Sequence, residues 1–269
     1  AFSSTIVEKI LIPAHVRQIG DHAFAGCRKL KNFILPKNSE LQTIENSAFA
    51  QTHIDKLTIP PNADSLKEGC LRNINNLKII EILPGNKHYQ YFNKTLLLYK
   101  EDENSDTYDI LIYVRPDIEK VTIPSYVKEI EDFAFEGCKK LKYVNFAKDT
   151  KVNFICKNVF NGVVIDSITV PFSLSNVRLY LPNYKSIVKL GILDENVEIN
   201  HLTFCGLDNL QKVSLPYAQN INIQNSNNCG KFELLVTQNA HINGLDESNK
   251  EENNGITVKY HILDISNLW

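Results

Sequence analysis

Apolar residues recur along the chain at fixed spacing, while the polar residues between them change. Residues 12–36 and 123–146 show this most clearly, since both begin with I-P-x-x-V-x-x-I-x-x-x-A-F-x-x-C-x-x-L. A unit of about 23 residues that preserves only its apolar positions is typical of a repeated supersecondary structure. Because one such coil cannot bury its own apolar side chains, neighbouring coils must stack, and the pattern predicts a solenoid.

Each unit reads as a strand, a turn and a second strand. The first strand ends at Ile12-Pro13, where proline fits because it donates no hydrogen bond to a sheet. Asp21 is expected to cap a short helical turn over residues 23–27, and residues 33–35 form the next strand. The pattern therefore predicts an α/β fold with a parallel sheet on one face and short helical turns on the other.

Other parts of the chain follow the pattern less closely. Residues 1–11 are interpreted as the end of a preceding strand. Residues 85–118 break the period and predict a β-hairpin insertion, with strands at 91–99 and 110–114 joined by a polar turn. Weaker copies of the unit occupy residues 41–60, 66–82, 152–171 and 199–216.

The C-terminal half is less regular. The stretch 172–198 has no room for a full unit, but Leu-Tyr-Leu-Pro at 179–182 predicts a strand within it, and residues 186–193 are a second strand-like stretch. We expect a single solenoid over residues 1–245. Beyond it the sequence predicts a mobile loop at 246–254 and a C-terminal cap at 255–269.

The unit resembles the BspA-type leucine-rich repeat. The residues that carry the resemblance are Ile19, Ala23, Phe24, Cys27, Leu30, Leu35 and Pro36, and again Ile130, Ala134, Phe135, Cys138 and Leu141. The insertion is similar to an interlude of that family, through Asn86, Tyr89, Leu98, Tyr99, Ile112 and Tyr113. Over residues 6–216 the resemblance implies a curved leucine-rich-repeat solenoid without a catalytic motif. Known members lie on bacterial or parasite surfaces and bind host matrix proteins or other cells, and some protist relatives are intracellular.

Composition and charge argue against nucleic-acid binding and membrane insertion. Apolar residues make up 43% of the chain, charged residues 22%, and the net charge is −2. These values are typical of a soluble globular protein and give no reason to expect nucleic acid as a partner. No apolar run is long enough to insert in a membrane. The chain starts at Ala1 and contains no methionine, so we expect it to be a piece of a longer protein or a processed product.

The six cysteines are interpreted as packing residues. Cys27 and Cys138 occupy the same apolar position of the repeat, and no pair has C-x-x-C spacing. A free cysteine behaves as a small buried hydrophobe, so buried thiols are expected in preference to disulfides. The cysteines therefore say little about the cellular compartment.

Motifs of catalysis and metal binding are absent from the sequence. It contains no G-x-S-x-G, G-x-x-x-x-G-K, G-x-G-x-x-G or H-E-x-x-H, and its histidines lack ligand spacing. Asp102-x-Asn104-x-Asp106 imitates the start of a calcium loop, but Thr107 replaces the glycine and Tyr113 the bidentate glutamate, so a hairpin turn is expected. Neither an enzymatic activity nor a cofactor or metal site is predicted. Asn93-Lys94-Thr95 is a glycosylation sequon in a stretch that reads as a strand.

The remaining candidate site is the outward face of the sheet. One predicted column contains Asn32, Lys56, Ile79, Lys120, Tyr143, Ser167, Arg178 and Lys212, and the other contains Ile34, Thr58, Glu81, Thr122, Asn145, Thr169, Tyr180 and Ser214. Tyrosine and arginine are enriched at binding hot spots. The predicted partner-binding residues are Asn32, Lys56, Lys120, Tyr143, Arg178, Tyr180 and Lys212. The alternative is that threonine, tyrosine and lysine merely suit exposed strands. The aromatic-rich insertion is a second candidate surface.

Two functions remain open at this stage. The first is a cell-surface or secreted adhesion module that binds a protein of a host or neighbouring cell, for which the family resemblance and the lack of catalytic motifs argue. The second is an intracellular scaffold within a larger protist assembly, which the asparagine- and lysine-rich composition and free thiols favour, because secreted proteins commonly oxidise their cysteines. The partner and the oligomeric state are not predicted.

Overall fold

The computed structural model of the chain describes residues 2–147, 150–152, 154–155, 158–160, 162–163, 165, 167–170, 189–192, 197–202, 211–215, 218–223, 232–237, 240–243 and 256–261. The chain forms two compact units. The first unit comprises Ala1–Glu119, Tyr126–Leu141 and Phe154–Val163, and the second comprises Lys120–Ser125, Lys142–Asn153 and Val164–Trp269. The predicted boundaries of the solenoid and cap stay predictions, since residues 246–254 lie outside the described residues.

The regular structure in the described residues consists of β-strands. In chain order they are β1 (Lys9–Leu11), β2 (Gln18–Ile19), β3 (Asn32–Ile34), β4 (Thr43–Ile44), β5 (Lys56–Ile59), β6 (Ser65–Leu66), β7 (Ile79–Ile82), β8 (Tyr89–Phe92), β9 (Leu96–Tyr99), β10 (Ile110–Val114), β11 (Lys120–Ile123), β12 (Glu129–Ile130), β13 (Tyr143–Phe146), β14 (Phe154–Ile155), β15 (Ser167–Val170), β16 (Lys189–Ile192), β17 (Val197–Leu202), β18 (Lys212–Leu215), β19 (Ala218–Ile223), β20 (Phe232–Thr237), β21 (His241–Asn243) and β22 (Ile256–His261).

In the first unit, successive coils contribute parallel strands. β1 pairs with β3 and β5 with β7, while the two-residue strands β2, β4 and β6 form a second parallel ladder. A five-stranded sheet has the order β14-β12-β10-β9-β8. The coils are therefore stacked in register, because each coil repeats the apolar positions of the previous one.

The second unit follows the same principle. Its seven-stranded sheet is parallel throughout, in the order β11-β13-β15-β16-β18-β20-β22, and a three-stranded parallel sheet joins β17, β19 and β21. Inward residues such as Val121, Val144, Ile168 and Val213 are at most 5% exposed. The solenoid predicted from the sequence is confirmed.

The predicted helical turns are consecutive β-turns in the described residues. In the first repeat, the amides of Ala23, Ala25 and Cys27 bond to carbonyls three residues earlier in their own coil. The alternating amides of Phe24 and Gly26 instead donate to Ala48 and Ala50 of the next coil, each at 2.8 Å. Two of these five amides therefore join neighbouring coils, which a helix would prevent.

Positive φ angles explain why no helix forms there. The described turns contain two such residues four positions apart, namely His22 and Gly26, Ser47 and Gln51, Gly69 and Asn73, and Phe133 and Gly137, with φ between 52° and 94°. An α-helix requires negative φ at every residue. Because most of these positions are not glycine, the left-handed conformation could not be predicted from residue type.

The core between the turns and the sheet is apolar. Phe24 is 3% exposed and Phe49 0%, and the ring of Phe33 packs edge-on against that of Phe49 at 4.6 Å. Cys27, Cys70 and Cys138 are buried free thiols, so the predicted packing role is confirmed for these three. Burial raises the pKa of Cys70 to about 12. The other three cysteines lie outside the described residues.

The N-terminal segment contains more than the strand predicted for it. Residues 2–13, FSSTIVEKILIP, repeat the register of residues 49–60, FAQTHIDKLTIP. The hydroxyl of Thr5 donates to the Phe2 carbonyl at 2.7 Å, as the hydroxyl of Thr52 donates to the Phe49 carbonyl at 2.8 Å. Residues 2–13 are therefore the turn and strand of a repeat coil.

The insertion contains three antiparallel strands, β8, β9 and β10, where two strands were predicted. Asn93 and Lys94 have φ of 48° and 54° and form a tight turn inside the stretch 91–99, which was predicted to be one strand. Consecutive residues with positive φ are typical of a two-residue hairpin turn. The sequon residue Asn93 is therefore exposed at a turn and is not a strand residue.

Candidate functional site

Alternating burial along the strands of the first unit separates a buried face from an outward face. Phe33, Leu57 and Ile80 point inward and are at most 7% exposed. The outward positions on β1 and β3 are Lys9 opposite Asn32 and Leu11 opposite Ile34, which we assign to a first and a second column. On β5 and β7 the corresponding pairs are Lys56 with Ile79 and Thr58 with Glu81. The predicted residues Asn32 and Lys56 are both exposed in the first column.

Large apolar side chains are exposed on this outward face. Leu11 is 64% exposed, Ile34 36% and Ile79 55%. In the second unit, Tyr143 of β13 is 45% exposed at the corresponding outward position. Leu11 and Ile34 are also direct partners in the β1–β3 register. The binding residues predicted from the sequence are mainly polar and charged, and Leu11 is not among them.

Lys56 is already engaged within the chain. Its Nζ lies 2.7 Å from the Glu81 carboxylate, and the Thr58 hydroxyl donates to the same carboxylate at 3.3 Å. The hydrogen bond and the charge of Lys56 lower the pKa of Glu81. A partner that binds Lys56 must therefore compete with Glu81, which the sequence could not reveal without the β5–β7 register.

In the second unit the strand register aligns three predicted partner-binding residues. Lys120 pairs with Tyr143, Tyr143 with Ser167, Ser167 with Lys189, and Lys189 with Lys212. Lys120 is exposed and Lys212 is partly buried. The predicted column through Lys120, Tyr143 and Lys212 therefore exists, although one of its members was not foreseen.

The positions assigned to Arg178 and Tyr180 belong to other residues. The prediction placed a strand containing them between β15 and β18, but β16 occupies that place, with Lys189 beside Ser167 and Gly191 beside Thr169. Arg178 and Tyr180 themselves lie outside the described residues. The Leu-Tyr-Leu-Pro pattern imitates the end of a repeat strand, and this led to the wrong choice. The stretch 186–193 was also predicted to be strand-like, and it contains β16, the strand that pairs with β15.

The outward face is not open at every strand of the second unit. Ser214 of β18 and its register partner Leu235 of β20 lie at outward positions, and each is only 4% exposed. Ser214 was predicted as a surface residue of the second column, and this prediction is wrong. At β11, by contrast, Thr122 is exposed. The open part of the face therefore lies at the β11 end of the sheet.

The insertion creates a cleft in the first unit. The amide of Val114 in β10 donates to the Ala134 carbonyl at 2.8 Å. In the first repeat the equivalent carbonyl, that of Ala23, accepts from the amide of Phe2 in the preceding coil. The resulting space of about 190 Å³ is lined by residues 65–72, Tyr99, Ile112, Tyr113 and residues 131–133. Small-molecule sites usually have about 300 Å³ or more, so this cleft is too small for a drug-sized ligand.

Carboxylates dominate the electrostatics of the cleft. Burial raises the pKa of Glu131, and the charges of Glu129, Glu68 and Asp132 raise it further. The cation Arg72 is already bound to Glu136 through two hydrogen bonds of 3.0 and 3.4 Å, and its guanidinium lies 4.3 Å from the Phe133 ring centroid. These contacts join the repeat coils that precede and follow the insertion.

The calcium-like turn of the insertion holds a lysine ammonium. Lys100 is 7% exposed, and its Nζ donates to the carbonyl of Glu103 at 2.9 Å and to that of Ser105. A carboxylate oxygen of Asp102 accepts hydrogen bonds from Asn104, one from its backbone and one from its side chain. The polar groups that made the turn look like a cation site therefore organise the loop around Lys100.

Within the described ranges, no three histidine, cysteine, aspartate or glutamate residues are grouped so as to hold a metal ion. The same residues include no helix with the length and apolar character needed to cross a membrane.

Comparisons with known proteins agree with this architecture. The family model described as "BspA type Leucine rich repeat region (6 copies)" matches residues 1–99 and 112–233. No curated protein matches the chain by sequence.

Three solved structures with similar folds come from bacteria. The pneumococcal vaccine antigen PcpA is 19% identical, with a TM-score of 0.58 over 96% of this chain and 69% of that chain. A leucine rich cell surface protein of Faecalibacterium prausnitzii is 19% identical, with a TM-score of 0.52 over 96% of this chain and 61% of that chain. A leucine-rich repeat protein of Bacteroides ovatus is 17% identical, with a TM-score of 0.54 over 93% of this chain and 66% of that chain.

The chain thus spans 61–69% of the length of these structures, and at such identities the likeness concerns the fold. The family model covers most of the chain, including both repeats that carry the A-F-x-x-C-x-x-L pattern. The chain belongs to the BspA-type leucine-rich repeat family.

Proposed function

We propose that the chain is a non-catalytic module that binds a protein partner through the outward faces of its parallel sheets. The observation that carries this proposal is the exposure of Leu11, Ile34, Ile79 and Tyr143, which are 36–64% exposed at outward strand positions. Contiguous exposed apolar groups rimmed by polar residues mark interaction sites, and Leu11 and Ile34 are direct register partners on the outward face. Here the polar neighbours include Asn32 and Lys56.

The proposed biological role is adhesion, with the chain displayed on the cell surface or secreted. Two proteins of similar fold, a vaccine antigen and a cell surface protein, support this choice of role. The partner in this proposal is a protein of a host or neighbouring cell, and the outward strand residues Asn32, Lys120, Tyr143 and Lys212 contribute to its binding.

Intracellular scaffolding is the second candidate. It is favoured by Cys27, Cys70 and Cys138, which are not in disulfides, since oxidising compartments promote disulfides. Burial weakens this argument, because a buried thiol is unreactive in either compartment.

Limited proteolysis of intact cells followed by mass spectrometry separates the two roles. Lys139 and Lys140 are exposed and offer cleavage sites. Peptides released from intact cells support adhesion, whereas release only after lysis supports the scaffold. Antibody labelling of unpermeabilised cells is the independent check of the same point.

A bead assay tests binding by the outward face. Beads coated with the chain are exposed to purified extracellular matrix proteins and to whole cells. The double variant Ile79→Ser/Tyr143→Ser should reduce capture at least tenfold, since each residue is a large exposed group on that face. Ile6→Ser is the matched control, because Ile6 is 77% exposed but lies outside the columns. Equal capture by the double variant and the wild-type chain would contradict the proposal.

A further inference from the structure

Neighbouring coils of the first unit are joined by alternate backbone amides of their turns. The amide of Phe24 donates to the Ala48 carbonyl of the next coil at 2.8 Å, and the amide of Phe49 donates to the Cys70 carbonyl at 2.9 Å. The donors of the two coils are His22, Phe24 and Gly26, then Ser47, Phe49 and Gln51. Each coil thus offers a row of amides to the coil that follows it.

This row is left open in the third coil, at the cleft beside the insertion. Gly69 and Leu71 hold the donor positions there, equivalent to His22 and Phe24 of the first repeat. Among the hydrogen bonds of the described residues, neither the Gly69 amide nor the Leu71 amide has an acceptor. The insertion therefore interrupts the coil-to-coil ladder and leaves two amides without a partner.

Burial makes these free amides notable. Leu71 is only 6% exposed, and both Leu71 and Gly69 line the cleft of about 190 Å³. Buried backbone amides are nearly always paired, because an unpaired donor away from bulk water is costly. The two amides therefore mark a place where a ligand with suitably spaced acceptors would complete the hydrogen bonding.

The charges of the cleft narrow the chemistry of that ligand. Glu68 and Glu131 line it, and neither carboxylate forms an ion pair with another described residue. Among the described lining residues, the cations are Arg72, which is bound to Glu136, and Lys67, which is exposed. An occupant with a positively charged side chain would therefore complement the cleft.

We propose that the cleft binds a short extended segment of a protein partner that contains a lysine or arginine, at a site separate from the outward face. Two carbonyls of the segment, two residues apart, would accept from the amides of Gly69 and Leu71. The carbonyls of Glu68 and Cys70 accept from the preceding coil with the same spacing, so the segment would continue an existing interface.

The affinity would come from the backbone and the selectivity from the charge. Main-chain hydrogen bonds supply affinity when an extended peptide joins an exposed row of backbone groups. The basic side chain would pair with Glu131 or Glu68. The space of about 190 Å³ corresponds to roughly six water molecules at about 30 Å³ each, so only a short stretch of backbone enters it.

Amide hydrogen exchange measured by NMR tests whether the two donors are free. The amides of Gly69 and Leu71 should exchange at least tenfold faster than those of His22 and Phe24, which hold the same repeat positions and are bonded to the next coil. Equal protection of all four amides in the chain alone would mean that another part of the chain already fills the cleft, and the proposal would fail.

A defined peptide tests binding. The probe is a fluorescein-labelled peptide of alanine and lysine with blocked ends, and the same peptide with glutamine in place of lysine is the neutral control. Fluorescence anisotropy should show tighter binding of the lysine peptide. The NMR signals of the Gly69 and Leu71 amides should shift and gain protection, while those of His22 and Phe24 stay unchanged. No binding, equal affinity for the two peptides, or unchanged Gly69 and Leu71 signals would overturn the proposal.

Matched variants locate the site. Ile112 lines the cleft, so Ile112→Trp should fill it and weaken the affinity at least tenfold, whereas Ile79→Trp on the outward face should not. Glu131→Gln should weaken binding of the lysine peptide but not of the neutral one, and thermal melts verify that each variant folds. Wild-type affinity in both Ile112→Trp and Glu131→Gln would contradict a site in the cleft. If Ile79→Trp alone weakens binding, the peptide binds the outward face, and this proposal fails while the proposed function stands.

Discussion

The rings of Phe24 and Phe49 are stacked, with centroids 5.5 Å apart and planes 10° from parallel. Phe2 stacks on Phe24 from the other side at 5.6 Å and 7°. The three phenylalanines hold the same repeat position, so each coil adds one ring to a common stack. Exposure nevertheless differs within the stack, since Phe49 is fully buried and Phe2 is 48% exposed.

This difference predicts unequal costs for the same substitution. Phe49→Ala should lower the free energy of unfolding by about 3–5 kcal/mol, because it leaves a cavity in the core. Phe2→Ala should lower it by only about 1 kcal/mol, since half of the ring is already in water. Urea denaturation of the two variants measures both values. Equal losses would contradict the difference in exposure between the two rings.

The left-handed turn positions predict a stabilising substitution. Gln51 has φ of 59° at the position that glycine holds in other coils, for example Gly26 and Gly137. A non-glycine residue in this conformation costs about 1 kcal/mol, so Gln51→Gly should raise the free energy of unfolding by up to that amount. Ala50→Gly, one residue away, should lower it. Urea denaturation tests both, and a loss of stability in Gln51→Gly would argue against the turn geometry.

Asn86 anchors the insertion to the preceding coil. Its Nδ2 donates to the carbonyls of Pro60 and Ala63 at 2.9 and 2.8 Å, and its Oδ1 accepts from the amides of His88 and Tyr89. Asn86→Asp places a carboxylate oxygen against the two carbonyls. We expect a loss of at least about 2 kcal/mol in the free energy of unfolding at pH 7.

The control for this variant is Asn76→Asp, at an exposed asparagine, which should have little effect. Urea denaturation compares the two proteins. Equal stability of Asn86→Asp and the wild-type chain would mean that these hydrogen bonds do not hold the insertion in place.

Glu131 in the cleft predicts a pH-dependent effect. Burial and nearby carboxylates raise its pKa above the ordinary value of 4.5, so the folded chain binds this proton more tightly than the unfolded chain. Stability should therefore fall as the pH rises from 4.5 through the raised pKa. Glu131→Gln cannot ionise and should raise the melting temperature at pH 7.

Below pH 4.5 the gain should vanish, because Glu131 is then protonated in both states. Glu119→Gln, at an exposed position, is the control and should change little at either pH. A gain in the melting temperature of Glu131→Gln that is independent of pH would show that a cause other than ionisation is responsible.

Much of the fold could be predicted because the repeat is encoded in apolar spacing. Ile19, Phe24, Cys27 and Leu30 had to be buried wherever coils stack, and all four are at most 5% exposed. The turn conformation could not be predicted in the same way. Left-handed residues such as Ser47 and Gln51 are imposed by hydrogen bonds to the neighbouring coil, which leave no trace in local residue preference.

The outward face could be predicted only in part, because it depends on which strands are neighbours. Alternation within a strand placed Lys120, Tyr143 and Lys212 correctly in one column. The choice of Lys189 over Arg178 depended on strand order, which a single local pattern does not determine. The burial of Ser214 also depends on tertiary context, since a serine at an outward strand position is ordinarily expected to be exposed.

Site-specific photo-crosslinking tests the central claim, that the outward face binds a protein partner. A photoreactive phenylalanine analogue is placed at Tyr143 or Ile79, and at Ile6 as the exposed position outside the columns. After irradiation with intact cells, we predict one discrete crosslinked protein from positions 143 and 79 and none from position 6. Crosslinks of equal yield and identity from all three positions, or crosslinks from position 6 alone, would contradict the account.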